Sequence, residues 1–563
     1  MLLNFLLVLS SLLICASAKN LLINAGFEST DHWDCPHMTC TLSSTAHSGH
    51  HSLQITHRQN GNHGAQQTVH LTPGHNYHVR AFVKLLTQVN HNGEDFVINF
   101  YYKMTDGSTK YPQAAHFEGI KKSDGWVDVS GVFGVDKNVH LQSATLQIHG
   151  GSNGVDFLVD DATIDMIAVT PNEDWRKETD AVIDKIRKSD IHVQVTNKNS
   201  LHLPDVSVQL LQTKKSFPWG MSVRDTYYNK NAVNGKYRDF VHKHFTWATV
   251  ENGLKWHTAE PVKGQKDYQP ALDTLHGLRS HGIKVRGHNL VWSTDKAVQS
   301  WVKALSGQTL RNTVQHHIQE VMNLTHGLVE HWDVNNENLH GQWYQDRLHD
   351  PDYDLELFRI AHHNDPHVKL FLNDFGVISK NLHTQEYLQQ ALRFKATNVG
   401  LYGMGVQCHF FTNPDPYGIK ERLDVLAKAG VPMWATEVDV VNDNENVRAD
   451  YLEMAIRSLY GHPAIEGIVF WGFWDKEARR GEAMSWVKGD HMEMTAAGRR
   501  AFDLLENQFM TDSTHRLSSA SHFSVRGFHG DYEVHVHYKG HELHNATQKF
   551  TLGTQEKTIH ITL

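Results

Sequence analysis

Glu330-His331-Trp332-Asp333-Val334-Asn335-Asn336-Glu337-Asn338 is the stretch on which the fold turns. His331 to Val334 carries the aromatic and β-branched character of a strand, and two amides and a carboxylate follow with no apolar cover. Such an end reads as the open end of a strand facing a ligand, because barrels of parallel strands carry their chemistry at the C-terminal strand ends. Glu337 is therefore the first candidate acid. Alone it reads as a solvated loop acid, and it needs a partner carboxylate at a second strand end.

Working outward from it, short apolar runs alternate with helical patterns from Trp219 to about Asn507. The strand candidates are Trp219–Val223, Thr246–Val250, Lys284–His288, His331–Val334, Lys369–Leu372, Gly403–Gln407, Met433–Thr436 and Gly467–Phe473. Helical spacing fills the gaps, as in Ala271–His281, Leu310–Thr325 and Ala449–Tyr460. Strands alternating with helices predict a parallel sheet, and the size of the segment, residues 213–510, predicts an α/β fold of the (β/α)8 TIM-barrel type. Every predicted strand ends in polar groups. The second gives Glu251-Asn252 with Lys255 behind it, the third His288-Asn289 and then Trp292. The fifth gives Asn373-Asp374, the sixth Gln407 and His409, the seventh Glu437 and Asp439, the eighth Trp471 and Trp474. Amides and acids hydrogen-bond hydroxyls and indole faces stack on rings, so this face suits a neutral polyhydroxylated substrate. A phosphate site calls for glycine-rich turns and cations, and a metal site for ligands without the tryptophans, so neither a metal nor a cofactor is expected here. Glu337 and Glu437 are a carboxylate pair able to cleave a glycosidic bond, whose separation decides between retention and inversion.

The flanks have a different rhythm. With 563 residues the chain exceeds one compact core. Residues 1–18 are an apolar run ending in Ala16-Ser17-Ala18, read as a secretory signal peptide without the usual positive start. Residues 19–169 show alternating segments separated by Pro73-Gly74, Asn92-Gly93, Asp106-Gly107 and Asn153-Gly154, which predicts a β-sandwich. Residues 170–212 read as a connector helix and lead-in strands, and 511–563 as a small β-rich tail beside the barrel. In an oxidising compartment Cys35 and Cys40 are expected to pair, and Cys408, inside an apolar run, to be a buried thiol. Asn323 and Asn545 head glycosylation sequons. A net charge of -9, from 53 Lys and Arg against 62 Asp and Glu, gives no basic footprint for nucleic acid. No second apolar span follows the leader, so a secreted chain without a membrane anchor is expected, and no obligate protein partner is evident. The 43 histidines are scattered and read as surface polar positions.

Two resemblances add to this reading. Leu22-Ile23-Asn24-Ala25-Gly26-Phe27-Glu28 and Val159-Asp160-Asp161-Ala162 resemble a carbohydrate-binding module of the xylan- and cellulose-binding sandwich type, with Trp33, Trp126, Tyr77, Tyr101, Tyr102 and Tyr111 as candidate stacking platforms. The barrel resembles the xylanases of glycoside hydrolase family ten, plant and animal members most. The resemblance rests on Glu251-Asn252-Gly253-Leu254-Lys255-Trp256, Arg286-Gly287-His288-Asn289-Leu290-Val291-Trp292, Trp332 to Glu337, Gly405 to His409, Thr436 to Val440 and Val469 to Gly472. It implies endo-cleavage of β-1,4-xylan with retention, Glu337 as acid/base and Glu437 as nucleophile. It further implies Asn336 on the sugar 2-hydroxyl, His409 orienting Glu437 and leaning on Asp439, and substrate contacts from Glu251, Asn252, Lys255, His288, Trp292, Gln407 and Trp471; Trp474, at the end of the eighth strand, is a substrate-binding candidate by its position alone. The sequence departs from the family at Ser293, where a second histidine is common, at Thr294–Ala297, at Asn335, where an apolar residue is common, and in the charged loop Asp475–Trp486. The rival readings are a β-1,4-glucanase, or an enzyme active on both polymers, and a polysaccharide-binding protein on an inactive barrel.

Overall fold

The computed structural model describes residues 20–89, 93–136, 138–169, 174–379, 383–411, 413–518 and 521–563; the leader expected at 1–18 lies outside them. Chain contacts divide the protein into two compact units, residues 1–172 with 380–388, and residues 173–379 with 389–563. No helix among the described residues is long and apolar enough to cross a membrane.

The first unit contains the expected β-sandwich. One sheet joins Thr39–Ser43, Ser52–Thr56, Phe157–Val169, His75–Leu85 and Val127–Gly134 in that order; the other joins Ala65–Val69, Leu141–Gly150, Glu94–Met104 and Thr109–Lys110, with Gln113–Ile120 also on Glu94–Met104. Along His75–Leu85 buried positions alternate with half-buried ones, so each inward side chain enters the space between the sheets. Phe27, Leu53, Val79, Phe96, Phe100 and Phe157 fill that space. Cys35 and Cys40 are disulfide-bonded, and Cys408 is a buried thiol. Burial sorts the six candidate platforms. Trp33, Tyr77 and Tyr102 are 7%, 2% and 5% exposed and belong to the core, Tyr77 and Tyr102 at inward positions of their strands. Trp126 and Tyr101 stay half-buried, and Tyr111 is 66% exposed. The rings of Tyr101 and Tyr111 lie 5.3 Å apart.

In the second unit, among the described residues, eight parallel strands close a barrel: β1 Trp219–Val223, β2 Trp247–Val250, β3 Lys284–Trp292, β4 His331–Asn336, β5 Lys369–Asp374, β6 Leu401–Val406, β7 Met433–Val440 and β8 Ile465–Phe470. β8 pairs with β1 and β7, and β6 pairs with β7, which completes the circle. The predicted strands are all present, but β3, β4, β5 and β7 run two to four residues further at their C-terminal ends, carrying Trp292, Asn336, Asp374 and Glu437 inside the ladder. The expectation of uncovered polar ends is corrected accordingly: β4 is buried along its whole length. Parallel strands flanked by helices have both faces covered, and the polar groups there satisfy one another instead of meeting water. The lower end of the barrel is plugged by Trp247, Phe371, Trp434 and Val469, with the His331 ring 4.7–4.8 Å from three of those rings.

The lead-in strands and the tail, read from the sequence as separate segments, are one small sandwich. Lys188–Thr196 lies between His522–Phe528 and Lys557–Thr562, and Val206–Lys215 lies between Asp512–Arg516 and Gly530–Tyr538. Each segment alone has one apolar stripe and nothing to bury it against. Together, Ile191, Val193, Val208, Leu210, Val534, Val536, Ile559 and Ile561 close a core.

Candidate active site

The upper barrel mouth is organised by Asn373, at the end of β5. Its carbonyl accepts the Glu337 N–H at 2.9 Å. Its side-chain Nδ2 donates to Glu437 Oε1 at 3.0 Å and to Asn336 Oδ1 at 2.9 Å, while Oδ1 accepts from Thr436 Oγ1 at 2.6 Å. One residue therefore locates both carboxylates. Space for it exists because β6 carries glycine opposite: a Cβ on Gly405 would fall 2.4 Å from Asn373 Oδ1. Glu337 sits just past β4 with φ +54°, a left-handed conformation that costs a non-glycine residue and is tolerated where the surroundings determine it. Those surroundings centre on Asp374, whose carboxylate accepts the N–H groups of Leu339 at 2.7 Å and Phe375 at 2.9 Å, and contacts His340 Nδ1 at 2.6 Å.

The two acids have opposite surroundings. Glu337 accepts from Trp292 Nε1 at 2.9 Å; burial raises its pKa, and the charges of Asp374 and Glu437 raise it further. For Glu437 burial also pushes upward, but hydrogen bonds from His409 and Asn373 and the charge of His288 outweigh it and hold the carboxyl well below the ordinary range. His409 Nε2 lies 3.2 Å from Glu437 Oε2, and its Nδ1 lies 2.7 Å from Asp439 Oδ2. Burial works against the imidazolium, but the two carboxylates overcome it and raise the His409 pKa. One carboxyl is thus kept ready to give a proton and the other kept anionic, the division of labour that glycoside cleavage requires.

The remaining expected residues line one side of this pair. Arg224, which sequence reasoning missed, forks onto Glu251 at 2.9 and 3.2 Å; Glu251 accepts from Asn252 at 3.2 Å, and Asn252 accepts from Lys255 Nζ at 3.0 Å. The Lys255 ammonium stands 5.0 Å over the Trp292 ring. His288 contacts Asp333 Oδ2 at 2.9 Å and meets Trp471 edge to face. Gln407 is 2% exposed, and its Nε2 has no hydrogen-bond partner among the described residues, leaving a donor at the mouth. Trp474 differs from the expectation: its Nε1 donates to Gly489 O at 2.9 Å and it is 3% exposed among Tyr227 and Tyr237, so it forms wall rather than a face open to ligand. Phe375, stacked on His340 at 3.7 Å and 37% exposed, is an aromatic face at the mouth that sequence reasoning passed over, although Asn373-Asp374 beside it had been marked as a polar strand end.

Two of the departures explain each other. Ser293 Oγ donates to Asn335 Oδ1 at 2.6 Å, and Asn335 Nδ2 donates to Asn338 Oδ1 at 2.8 Å. Asn338 in turn donates to Asp354 at 3.0 Å. Asn335 faces away from the carboxylates into a buried polar chain that braces the turn carrying Glu337.

Residues 209–497 match the glycosyl hydrolase family 10 profile, and residues 19–158 match a carbohydrate binding domain. The chain belongs to glycosyl hydrolase family 10. It is 33% identical over 419 residues to Endo-1,4-beta-xylanase 1 of Arabidopsis thaliana, covering 73% of this chain and 42% of that protein. Endo-1,4-beta-xylanase 3 of the same plant is 33% identical over 425 residues, covering 74% of this chain and 54% of that one. Among solved structures, xylanase 10B from Thermotoga petrophila RKU-1 in complex with xylobiose aligns with a TM-score of 0.47 and 22% identity over 52% of this chain and 94% of that one. The chain spans 42% and 54% of the length of the two plant relatives.

Proposed function

We propose that this protein is a secreted endo-1,4-β-xylanase that acts with retention of configuration and is held on its polymer by the N-terminal sandwich. The observation that carries the reading is the pair Glu337 and Glu437, located by one residue, with surroundings that shift their pKa values in opposite directions. In the first step a Glu437 oxygen attacks the anomeric carbon; the bond to the leaving sugar oxygen breaks, and that oxygen takes the Glu337 proton. The negative charge of Glu437 is lost in the ester, so the Glu337 pKa falls and the carboxylate becomes a base. It then takes a proton from water, whose oxygen displaces Glu437 from the anomeric carbon. No cofactor enters either step.

Asn336, whose Oδ1 is occupied by Asn373, presents its Nδ2 to the sugar 2-hydroxyl. Glu251, Asn252, Lys255, His288, Trp292, Gln407 and Trp471 bind the sugars on the glycone side. A β-1,4-glucanase is the nearest alternative, because a glucosyl unit differs from a xylosyl unit by the hydroxymethyl group; a binding protein on an inactive barrel is the alternative from another class. Reducing-sugar release from xylan and from carboxymethyl-cellulose separates the three: release from xylan alone is expected, release from cellulose would reassign the substrate, and release from neither would leave only binding. Asn323 and Asn545 are exposed, and both are proposed to carry glycans after secretion.

The high-pH limb of the activity profile belongs to Glu337, which must be protonated, so kcat/KM falls as pH rises through its pKa. Asp374→Asn removes a negative charge that holds this pKa up, and the limb is expected to move to lower pH. A limb that stays in place or moves upward contradicts the assignment. For the sandwich, Tyr101 and Tyr111 are the stacking pair. Replacing both with alanine is expected to weaken retention on insoluble xylan by about tenfold or more, since an aromatic face contributes about 1–2 kcal/mol. Turnover of soluble oligosaccharide stays the same. Pull-down equal to that of the parent protein would move the binding face elsewhere.

A further inference from the structure

We propose that His116, Glu118 and His383 form a binding site for a divalent transition metal of the zinc type, separate from the catalytic pair. One ligand atom from each residue lies within 4.8 Å of the others. Glu118 Oε1 is 3.9 Å from Nδ1 of His116 and 3.9 Å from Nδ1 of His383. Around a four-coordinate zinc with bonds of about 2.0–2.1 Å, neighbouring ligand atoms are roughly 3.3 Å apart, so closure needs about 0.6 Å at each Glu118 contact and at most about 1.5 Å between any pair. The Glu118 side chain, 40% exposed, has room to swing, and small rotations of the two rings, 12% and 10% exposed, close the rest. The exposed carboxylate side is also the route by which an ion enters.

The backbone accounts for the convergence. His116 and Glu118 stand two apart on the strand Gln113–Ile120, so both project from one face of it. His383 immediately precedes the helix Thr384–Ala396, and residues 380–388 belong to the same compact unit as that strand.

A second observation points the same way. Glu386, in the first turn of that helix, is 7% exposed, and its Oε1 accepts the Glu118 N–H at 2.7 Å across 268 residues of sequence. Its other oxygen, Oε2, has no hydrogen-bond partner among the described residues. Through its bond to the Glu118 N–H, Glu386 ties the turn that carries His383 to the strand that carries His116 and Glu118. Two imidazoles with one carboxylate form a zinc ligand set. Calcium and magnesium prefer oxygen ligands throughout, which this group does not supply. Two of the histidines that read as scattered surface positions therefore have a joint role.

Cobalt(II) is the probe, because four-coordinate cobalt absorbs visible light far more strongly than six-coordinate cobalt. The full-length secreted protein, stripped of metal, is expected to take up one cobalt per chain with the strong absorption of a four-coordinate site, and zinc is expected to displace it. The paired change His116→Asn with His383→Asn should abolish that absorption while far-ultraviolet circular dichroism and xylan hydrolysis stay unchanged. A control with His202→Asn and His544→Asn, whose side chains are 68% and 82% exposed, should keep it. Glu386→Gln is expected to weaken cobalt binding by about tenfold. Strong absorption that survives in the paired variant, or only weak six-coordinate absorption in the parent protein, would overturn the proposal.

Discussion

Glu337→Ala is expected to lower xylan hydrolysis by about ten-thousandfold, the upper range for removing one positioned proton donor. The loss should depend on the leaving group. A xyloside of dinitrophenol departs as a stable anion and needs no proton, so its bond to the sugar should still break quickly in the variant. The second half-reaction then lacks its base, and the glycosyl-enzyme should accumulate as a burst of dinitrophenol followed by slow turnover. Added azide, which attacks without deprotonation, should restore turnover and give a glycosyl azide of the original anomeric configuration. The physical basis is the raised pKa of Glu337: burial and the charges of Asp374 and Glu437 favour its protonated form, and the Glu437 contribution is lost once the ester forms. Equal losses on xylan and on the dinitrophenyl substrate would show that Glu337 is not the proton donor.

Glu437→Ala is expected to remove about 10⁵-fold or more of the activity on every substrate, including the dinitrophenyl xyloside, because no covalent intermediate can form. Azide should enter the vacated space and attack the anomeric carbon once, so the rescued product has the opposite configuration to that from Glu337→Ala. The contrast between the two azide products distinguishes nucleophile from acid without reference to rate. The variant is also expected to fold, although His409 and Asn373 lose a shared partner. An imidazolium left beside Asp439 alone is still paired, so the His409 pKa should fall but remain above that of an isolated histidine. Residual xylan hydrolysis near the parent rate would exclude Glu437 as the nucleophile.

The barrel was legible because its strands are short apolar runs at regular spacing and each ends in a recognisable polar group. Strand ends proved harder: Asn336, Asp374 and Glu437 look like loop residues by propensity, yet each lies inside the ladder, Asn336 and Glu437 bonded to Asn373 on β5 and Asp374 to the turn that follows β4. Glu337 and Glu437 were identifiable from residue type and family resemblance. Asn373 was visible only as a polar strand end, since its task of linking Glu337, Glu437, Asn336 and Thr436 depends on contacts with β4 and β7. Asn335 had no reading at all until the structure placed Ser293, just past β3, against it.

The chain's own pattern thus determined the classes of its parts: a sandwich before a barrel, and carboxylates, amides and indoles at the barrel's strand ends. Periodicity and residue type are local, and they are written along the sequence. Tertiary structure decided what depends on distant partners. It closed the small sandwich from Lys188–Lys215 and Asp512–Thr562, since neither segment can bury its apolar stripe alone. It separated Tyr101 and Tyr111 from the core aromatics, because alternation along a strand does not say which face is covered. It also set the carboxyls at Glu337 and Glu437 apart in protonation, because a pKa belongs to the charges and hydrogen bonds around a group, and those are supplied by other strands.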